Sequence, residues 1–274
     1  MHVSETVVYV GSYDHKLYAF SASGCDSQAC TPLWISTPTG GSIDSSPAVA
    51  NKMVYIGSDD GKLYAFNASG CGKSDCPPVW TAALTKGNDV SSPAAAGGVV
   101  YVGAYDLKGD GTLDAFNANG WGRPSCAPLW RSAPTGAGYY SSAAVVDGVV
   151  YIGSYDGKLY AYKAAGCGQS TCAPVWSSTP TGSIIESSPM VAGGVVYIGS
   201  DDGALYAFDA AGCGSPPCAP LWTSPTTGDA LYSSPAEADG VVYIGSLDHK
   251  LYAFHLRGKA GWTQQACRLA NDRR

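Results

Sequence analysis

The sequence is poor in charge, and positive charge is the scarcer kind. Only 14% of the 274 residues are charged, the net charge is −6, and the sequence pI is about 5.0. Proteins that bind nucleic acid or anionic membranes favour basic surfaces, so this balance argues against both partners. No apolar run approaches the roughly 18–20 residues that a membrane-spanning helix needs. The opening MHVSETVVYV lacks a basic segment followed by an apolar core, so no signal peptide is visible.

Glycine and proline, by contrast, are abundant. The chain has 35 glycines and 17 prolines, and 45% of its residues are hydrophobic. Both residues punctuate tight turns, and low charge allows sheets to be buried on both faces. The composition therefore predicts many short strands joined by tight turns.

One phrase occurs six times along the chain. Its opening tyrosines are 46, 46, 50, 46 and 46 residues apart. The copies occupy residues 9–20, 55–66, 101–116, 151–162, 197–208 and 243–254. Fixed periods of this length are typical of solenoids and propellers, so we expect one repeated supersecondary unit.

Each repeat contains four apolar segments that suit strands. VVYIGS and LYAF are joined in most copies by Asp-Gly, which supplies the positive φ of a tight hairpin turn. A P-[LV]-W stretch gives the third strand, and the residues after SSP give the fourth. Both parities of VVYI are apolar, so both faces of the sheet are expected to be buried. Four-stranded sheets of this kind are what radially packed propeller blades require.

The phrase VYIGSxDGxLYAF, followed by A-x-G, a tryptophan and SSP, resembles the pyrroloquinoline-quinone-type (PQQ-like) propeller repeat. The resemblance covers roughly Val7 to Phe254 and implies an all-β propeller of about six four-stranded blades. The family includes quinoprotein dehydrogenases and non-enzymatic propellers, such as the scaffold lipoprotein of outer-membrane β-barrel assembly. The resemblance also implies that the repeated tryptophan packs against the neighbouring blade. This docking role falls on Trp34, Trp80, Trp130, Trp176 and Trp222.

We predict a single propeller domain over residues 1–274. Its repeat units lie near residues 1–43, 44–89, 90–139, 140–185, 186–231 and 232–274. If SSP forms the innermost strand, the first unit begins at its second strand and the sixth ends in the divergent GWTQQACRLANDRR. Either this tail helps to close the ring or the chain is a fragment of a larger propeller.

Eight of the ten cysteines form C-x4-C pairs. The pairs are Cys25/Cys30, Cys71/Cys76, Cys167/Cys172 and Cys213/Cys218. A zinc site needs about four converging ligands, whereas each loop offers two cysteines, so we favour disulfides and an oxidising compartment. Reduced pairs in a cytosolic protein are the alternative. Cys126 and Cys267 are left over, since a tryptophan stands at the first cysteine position of both loops.

The third repeat breaks the pattern with a four-residue insertion and with Asp114 in place of the tyrosine of LYAF. Asp106, Asp110 and Asp114 match positions one, five and nine of a calcium loop, with Gly111 at position six. Lys108 stands where a third-position carboxylate is expected. The two interpretations are therefore a calcium site and a longer solvated hairpin.

The hairpin aspartates of the repeats favour a turn role over catalysis. A catalytic pair of carboxylates needs two distinct environments, whereas these occur in six near-identical copies. The resemblance to quinoprotein dehydrogenases does not extend to their site, because the chain has no adjacent cysteines and no insertion large enough for a cofactor lid. We therefore expect no catalytic residues and no cofactor, with PQQ disfavoured and Ca²⁺ the one open possibility.

The residues just before each SSP-like segment vary, and they lie toward the expected mouth of the channel. The candidates are Asp44, Asp89, Tyr139, Tyr140, Glu186 and Tyr232. Acidic groups with aromatics can hold a sugar, a peptide or a cationic ligand. Simple variation at strand starts is the other interpretation.

The sequence thus predicts a non-catalytic, extracytoplasmic propeller that binds protein or carbohydrate partners. A PQQ-dependent oxidoreductase, or a fragment of one, is the alternative, and a purely structural surface module is a third class. A dye-reduction assay with added PQQ and Ca²⁺ distinguishes the first two.

Overall fold

A computed structural model of the protein describes residues 1–3, 6–25, 29–85, 87, 89–106, 108–255 and 266–268. For residues 2–3, 89 and 266–268 it describes the backbone alone. The described part is all-β, with 27 short strands and a single 3₁₀ turn at Gly120–Gly122. No helix in these ranges is long and apolar enough to span a membrane.

The strands follow the repeat. The first fourteen are β1 (His2–Val3), β2 (Val7–Gly11), β3 (Leu17–Ser21), β4 (Trp34–Ser36), β5 (Ala48–Ala50), β6 (Met53–Ser58), β7 (Lys62–Asn67), β8 (Asp75–Cys76), β9 (Trp80–Ala83), β10 (Asp89–Val90), β11 (Ala94–Ala96), β12 (Val99–Tyr105), β13 (Gly111–Asn117) and β14 (Trp130–Ser132). The remainder are β15 (Ala144–Val146), β16 (Val149–Gly153), β17 (Leu159–Lys163), β18 (Thr171–Cys172), β19 (Trp176–Ser177), β20 (Met190–Ala192), β21 (Val195–Gly199), β22 (Leu205–Asp209), β23 (Trp222–Thr223), β24 (Ala236–Ala238), β25 (Val241–Ser246), β26 (Lys250–His255) and β27 (Ala266–Arg268).

The chain forms two compact units with three sheets each. Unit 1 comprises residues 1–138 and 166–172, and unit 2 comprises residues 139–165 and 173–274. Blades 1, 2 and 3 of unit 1 are β1-β2-β3-β4-β8, β5-β6-β7-β9 and β10-β12-β13-β14-β18, with β11 also on β12. Blades 4, 5 and 6 of unit 2 are β15-β16-β17-β19, β20-β21-β22-β23 and β24-β25-β26-β27. The four strands predicted for each repeat are confirmed.

The central hairpin of each blade shows why the repeat folds in this way. In blade 2, β6 and β7 pair antiparallel with Tyr55 opposite Ala65, and the turn contains Asp60-Gly61. Gly61 has φ +76°, which a side chain would disfavour. Every residue of β6 from Val54 to Ser58 is buried, so the prediction that both faces are covered is confirmed here.

Consecutive blades pack through two faces, which we call front and back. In blade 1 the front face is Tyr9, Leu17 and Ala19, and it packs on the back face of blade 2, formed by Val54, Ile56 and Phe66. Blade 5 packs on blade 6 through the same repeat positions. Burying one large apolar side chain contributes about 1.5–3 kcal/mol, so this repeated interface is a main source of stability in each unit.

The two serines of SSP have separate tasks. The first clips its own blade: Ser45 Oγ donates to the Gly57 carbonyl and accepts from the Gly57 N–H, both at 2.9 Å. The second links to the next blade, as the Ser46 N–H donates to Ser92 Oγ at 2.8 Å. In unit 2, the Ser188 N–H donates to Ser234 Oγ in the same way at 3.0 Å.

The four C-x4-C pairs are disulfides in the structure. They join Cys25 to Cys30, Cys71 to Cys76, Cys167 to Cys172 and Cys213 to Cys218. These loops also extend the preceding blade, because β8 pairs in parallel with β4 and β18 with β14. Each of these two disulfides therefore braces a contact between blades as well as its own loop.

Candidate functional site

Unit 2 gathers acidic and aromatic side chains at one edge of its blades. Three of them directly precede the SSP-like segments, and two follow the Gly-Ser that ends the second strand of a blade. Backbone bonds join these loops: the Ile185 N–H donates to the Ser154 carbonyl, and the Asp201 N–H donates to the Ile184 carbonyl. We call the resulting group the acidic–aromatic cluster. Its members are Tyr140, Tyr155, Glu186, Asp201 and Tyr232.

Two tyrosines and a glutamate form one end of the cluster. The rings of Tyr140 and Tyr155 stack with centroids 4.6 Å apart and planes 8° apart. The Tyr155 hydroxyl donates to Glu186 Oε1 at 2.7 Å. Burial, followed by this hydrogen bond and the charge of Glu186, raises the pKa of Tyr155, so its hydroxyl stays a donor. The stacked rings thus hold the Glu186 carboxylate beside an aromatic surface. Tyr140 is the exposed part of that surface, at 37%.

Asp201 and Tyr232 form the other end. Burial, then the charges of Glu186 and Asp202, raise the pKa of Asp201 to about 6. Its Oδ1 is buried and accepts no hydrogen bond from any residue that the structure describes. Tyr232 is 45% exposed, and the charges of Asp201 and Glu186 raise its pKa. The cluster therefore presents two carboxylates, one with an unsatisfied oxygen, between exposed aromatic rings.

The structure places the other predicted mouth residues differently. Tyr139 is fully buried, its hydroxyl 3.0 Å from that of Tyr162. It lies in the core, because successive residues of an extended segment point to opposite sides, so it does not line a surface site. In unit 1, the charge of Asp44 and its hydrogen bond raise the pKa of the exposed Tyr13. The side chain of Asp89 lies outside the described residues.

Sequence reasoning missed Tyr155 and Asp201. Both occupy the position after Gly-Ser (Gly-Ala in the third repeat), where the six repeats carry Tyr13, Asp59, Tyr105, Tyr155, Asp201 and Leu247. Variation at that position was visible in the sequence. Its proximity to the residues before SSP was not, because it depends on pairing between loops about 30 residues apart.

The repeated tryptophans contact the next blade. The indole N–H of Trp34 donates to the Ala68 carbonyl at 3.2 Å, and Trp80 and Trp176 donate to Ala118 and Ala210 at 3.2 and 3.3 Å. Each ring also covers a glycine: a Cβ built on Gly70 would lie 2.6 Å from Trp34 Cδ1. Trp130 covers Gly166 in the same way, and Trp222 packs edge-on against Phe254 with centroids 5.6 Å apart. These are the contacts that the family resemblance implies.

The three aspartates of the predicted calcium loop have separate partners. Asp106 Oδ1 accepts from the backbone N–H groups of Lys108 and Asp110. Asp110 Oδ1 accepts from the Gly136 N–H at 3.1 Å. The fully buried Asp114 accepts from the Thr85 N–H at 2.8 Å and from its hydroxyl at 2.9 Å. Within the described ranges, no three His, Cys, Asp or Glu side chains are grouped to hold a metal, and the calcium site stays a prediction.

The hairpin aspartates of the other blades act in their own turns. Asp60 Oδ2 accepts from the Tyr64 hydroxyl at 2.6 Å, and the Asp248 and Tyr252 pair repeats this contact at 2.7 Å. Asp14, Asp156 and Asp202 bond the corresponding tyrosines at 2.5 Å. These contacts give the carboxylates a structural role.

The two leftover cysteines differ in what the structure describes. The Cys126 thiol is free, buried and 2.9 Å from the Gly120 carbonyl. Burial raises its pKa, which keeps it protonated and unreactive. The side chain of Cys267 lies outside the described residues.

Comparison with known proteins agrees with this fold. A PQQ-repeat family model described as outer membrane protein assembly factor BamB matches residues 25–121 and 110–271. The computationally designed protein Ika8 superposes with a TM-score of 0.71 at 16% identity, over 93% of this chain and 70% of that one. BamB from Moraxella catarrhalis superposes with a TM-score of 0.66 at 20% identity, over 92% and 68%. No curated protein sequence matches the chain.

Proposed function

The chain belongs to the PQQ-repeat family of outer membrane protein assembly factor BamB, and we propose that it is a non-catalytic, extracytoplasmic scaffold that binds a protein partner. The observation that carries this proposal is the acidic–aromatic cluster of unit 2. In this cluster, the exposed rings of Tyr140 and Tyr232 lie beside the carboxylates of Glu186 and Asp201.

The chemistry of the cluster suits a basic side chain of the partner. A guanidinium or ammonium group can donate to the Glu186 carboxylate, and the nearby charge of Asp201 adds to the attraction. Hydrogen bonds between charged groups contribute about 1.5–3 kcal/mol, roughly twice as much as neutral ones. The faces of Tyr140 and Tyr232 add a cation–π attraction of about 0.5–1 kcal/mol at exposed sites. An arginine fits best, because its planar group both stacks and forms paired hydrogen bonds.

The four disulfides support an extracytoplasmic location. Disulfides persist in oxidising compartments and are rare in the cytosol. All eight cysteines of the C-x4-C loops are paired within their own loops.

The cluster proposal is tested by calorimetric titration with a blocked peptide that carries two arginines. Glu186→Gln combined with Asp201→Asn should weaken binding at least tenfold. The matched control is Asp44→Asn combined with Asp59→Asn, which changes the corresponding repeat positions in unit 1 and should alter affinity less than twofold. Equal affinity of the wild type and the cluster variant would contradict the proposal.

Two further measurements separate the partner classes. Affinity for the peptide should fall as pH is lowered from 7.5 to 5, because Asp201, with a pKa of about 6, becomes protonated. Asp201→Asn should remove most of that dependence. A neutral oligosaccharide whose binding survives loss of both charges but not Tyr140→Ala would instead assign the cluster to carbohydrate.

A quinone-dependent oxidoreductase, or a fragment of one, is the alternative to this proposal, and we do not favour it. The sequence lacks adjacent cysteines. Dye reduction with added PQQ and Ca²⁺ is the direct test, and robust oxidation of an alcohol or sugar would overturn the scaffold proposal.

A further inference from the structure

The outer loop of blade 3, which carries Trp121 and Cys126, also contains the only Asn-Gly pair of the sequence, Asn119-Gly120. Asparagine before glycine is chemically labile. The next backbone nitrogen can attack the carbon of the side-chain amide, and in glycine no Cβ shields that nitrogen. Asn119 is exposed in the structure. The pair therefore combines a reactive sequence with a position that water reaches.

Two nearby asparagines lack this combination. Asn67 of blade 2 and Asn117 of blade 3 are both followed by alanine. Their side chains are also held in place: Asn67 Oδ1 accepts from the Ser69 N–H at 2.9 Å. Asn117 Oδ1 accepts from the Asn119 N–H at 2.8 Å. The Asn119 side chain, in contrast, makes no capping hydrogen bond to the described 3₁₀ turn that it precedes.

Gly120 takes part in two contacts at this point. A Cβ built on it would lie 2.2 Å from Trp80 Cδ1, so its backbone packs directly on the docking tryptophan of blade 2. Its carbonyl accepts from the Cys126 thiol at 2.9 Å. The Ala118 carbonyl, two residues earlier, accepts from the Trp80 indole N–H at 3.2 Å. A change in the backbone between Ala118 and Gly120 therefore affects both the contact between blades 2 and 3 and the environment of the thiol.

We propose that Asn119-Gly120 is a site of spontaneous modification, which converts Asn119 to isoaspartate and exposes the Cys126 thiol. The Gly120 nitrogen loses its proton and bonds to Asn119 Cγ, which expels ammonia and closes a succinimide ring. Water then opens the ring at either carbonyl and gives aspartate or isoaspartate. One water is consumed and one ammonia is released, and the reaction needs no enzyme and no oxidant. The site lies in unit 1, so the inference is independent of the acidic–aromatic cluster of unit 2.

Isoaspartate routes the main chain through the former side chain of Asn119. The Cβ of that residue becomes part of the backbone, which is then one atom longer between Ala118 and Gly120. The close contact of Gly120 with Trp80 leaves no room for this atom, so the Gly120 carbonyl moves away from the Cys126 thiol. No disulfide holds the loop in place, because Cys126 is a free cysteine. The thiol therefore loses its partner and its cover together.

Peptide mapping of protein incubated at pH 8.5 or pH 6 tests the first step. The fragment that contains Asn119 should exchange the mass of NH for that of O, and labelling by isoaspartyl methyltransferase should rise with it. Conversion should be at least tenfold faster at pH 8.5, because the Gly120 nitrogen must lose its proton. Asn119→Gln is the matched control, since its larger ring closes more slowly, and the Asn67 fragment should keep its mass. An Asn119 fragment of unchanged mass would overturn the proposal.

Alkylation of Cys126 by iodoacetamide, read from the mass of its peptide, tests the second step. Cys126 should stay unlabelled in the fresh wild type and in incubated Asn119→Gln, and its labelling in the incubated wild type should follow the isoaspartate content. Fresh Asn119→Asp carries the aspartate product without the longer main chain, so it should protect the thiol. Labelling in this variant would assign the exposure to charge. That result, or isoaspartate without labelling of Cys126, would overturn the proposed link.

Discussion

Blades 2 and 3 share one strand plan but fasten it with different groups. In blade 2, the Tyr64 hydroxyl bonds Asp60 and accepts at 3.4 Å from the Gly40 N–H, in the preceding blade. In blade 3, Asp114 stands at the position of Tyr64 and accepts from Thr85, again in the preceding blade. A carboxylate and a phenol thus make the same link between blades.

The outer loops of blades 2 and 3 also differ in how they are closed. The loop of blade 2 is closed by the Cys71–Cys76 disulfide. The loop of blade 3 has Trp121 and a free Cys126, and Trp121 takes φ +53° within the short 3₁₀ turn. Both loops still reach the preceding blade, through β8 on β4 and through the bridge of Ser125 to Thr81. The repeat therefore preserves contacts between blades while the residues that make them change.

The largest expected effect separates two tryptophans that are both near this loop. Trp80→Ala should lower the free energy of unfolding by about 3–5 kcal/mol, because the buried indole packs on Gly120 and donates to Ala118. Trp121→Ala is the control, and since Trp121 is 59% exposed it should change stability by at most about 0.5 kcal/mol. Urea denaturation measures both, and similar losses would contradict the assigned docking role.

The second largest effect concerns the outer-loop disulfide, which blade 2 has and blade 3 lacks. Replacing Cys71 and Cys76 with serine should cost roughly 2 kcal/mol in the chain-entropy model. Trp121→Cys places a thiol at the missing position and should form a fifth disulfide with Cys126, with a gain of up to about 2 kcal/mol. Mass spectrometry without reductant should show two further hydrogens lost, and a free Cys126 in the variant would show that the 3₁₀ turn prevents closure.

A smaller effect distinguishes the two carboxylates by pH. Burial raises the pKa of Asp114, against the hydrogen bonds of Thr85 and the charge of Arg131. Its contribution to stability is therefore fully present below the ordinary value of 3.8 and is lost as pH rises through the raised pKa. Asp114→Asn does not titrate, so it should gain stability relative to the wild type between pH 4 and pH 8.

Asp60 provides the opposite control. Burial raises its pKa, but the hydrogen bonds of Tyr64 and Lys62 outweigh burial and leave the pKa lowered. Its contribution is present above 3.8 and is lost as pH falls through the lowered pKa, so Asp60→Asn should lose its disadvantage in acid. Melting temperatures from pH 2 to pH 8 measure both variants. If the melting temperatures of Asp114→Asn and Asp60→Asn, each relative to the wild type, changed with pH in the same direction, the assigned environments of the two carboxylates would be contradicted.

Calcium should produce the smallest effect. Because Asp106, Asp110 and Asp114 already have separate partners, we expect millimolar calcium to leave the melting temperature of the wild type unchanged. A rise that Asp110→Ala abolishes would instead establish the metal site that the spacing of the three residues indicates.

Much of the fold could be predicted from the sequence because the same strand and turn signals occur in six copies. The alternation of VYIG and LYAF, the Asp-Gly turn and the fixed period predict four strands and their order. The candidate site was read in part. Tyr140, Glu186 and Tyr232 were visible as variable residues before SSP, but Tyr155 and Asp201 were not linked to them. Tyr139 was predicted at the mouth of the channel but lies in the core.

Local chemistry thus determined what each repeat becomes, since strand propensity, turn glycines and cysteine spacing act over a few residues. Only the tertiary structure decided the contacts and the burial of the residues that depart from the repeat. Asp114 is a link to Thr85, which lies 29 positions away in the preceding blade. Asp201 is an acid whose pKa is raised by burial and by the charges of Glu186 and Asp202. Leu251 and Leu205 both begin an LYAF segment, yet Leu251 is half exposed and Leu205 is buried. Burial depends on whether a neighbouring sheet is present, and no local sequence records that.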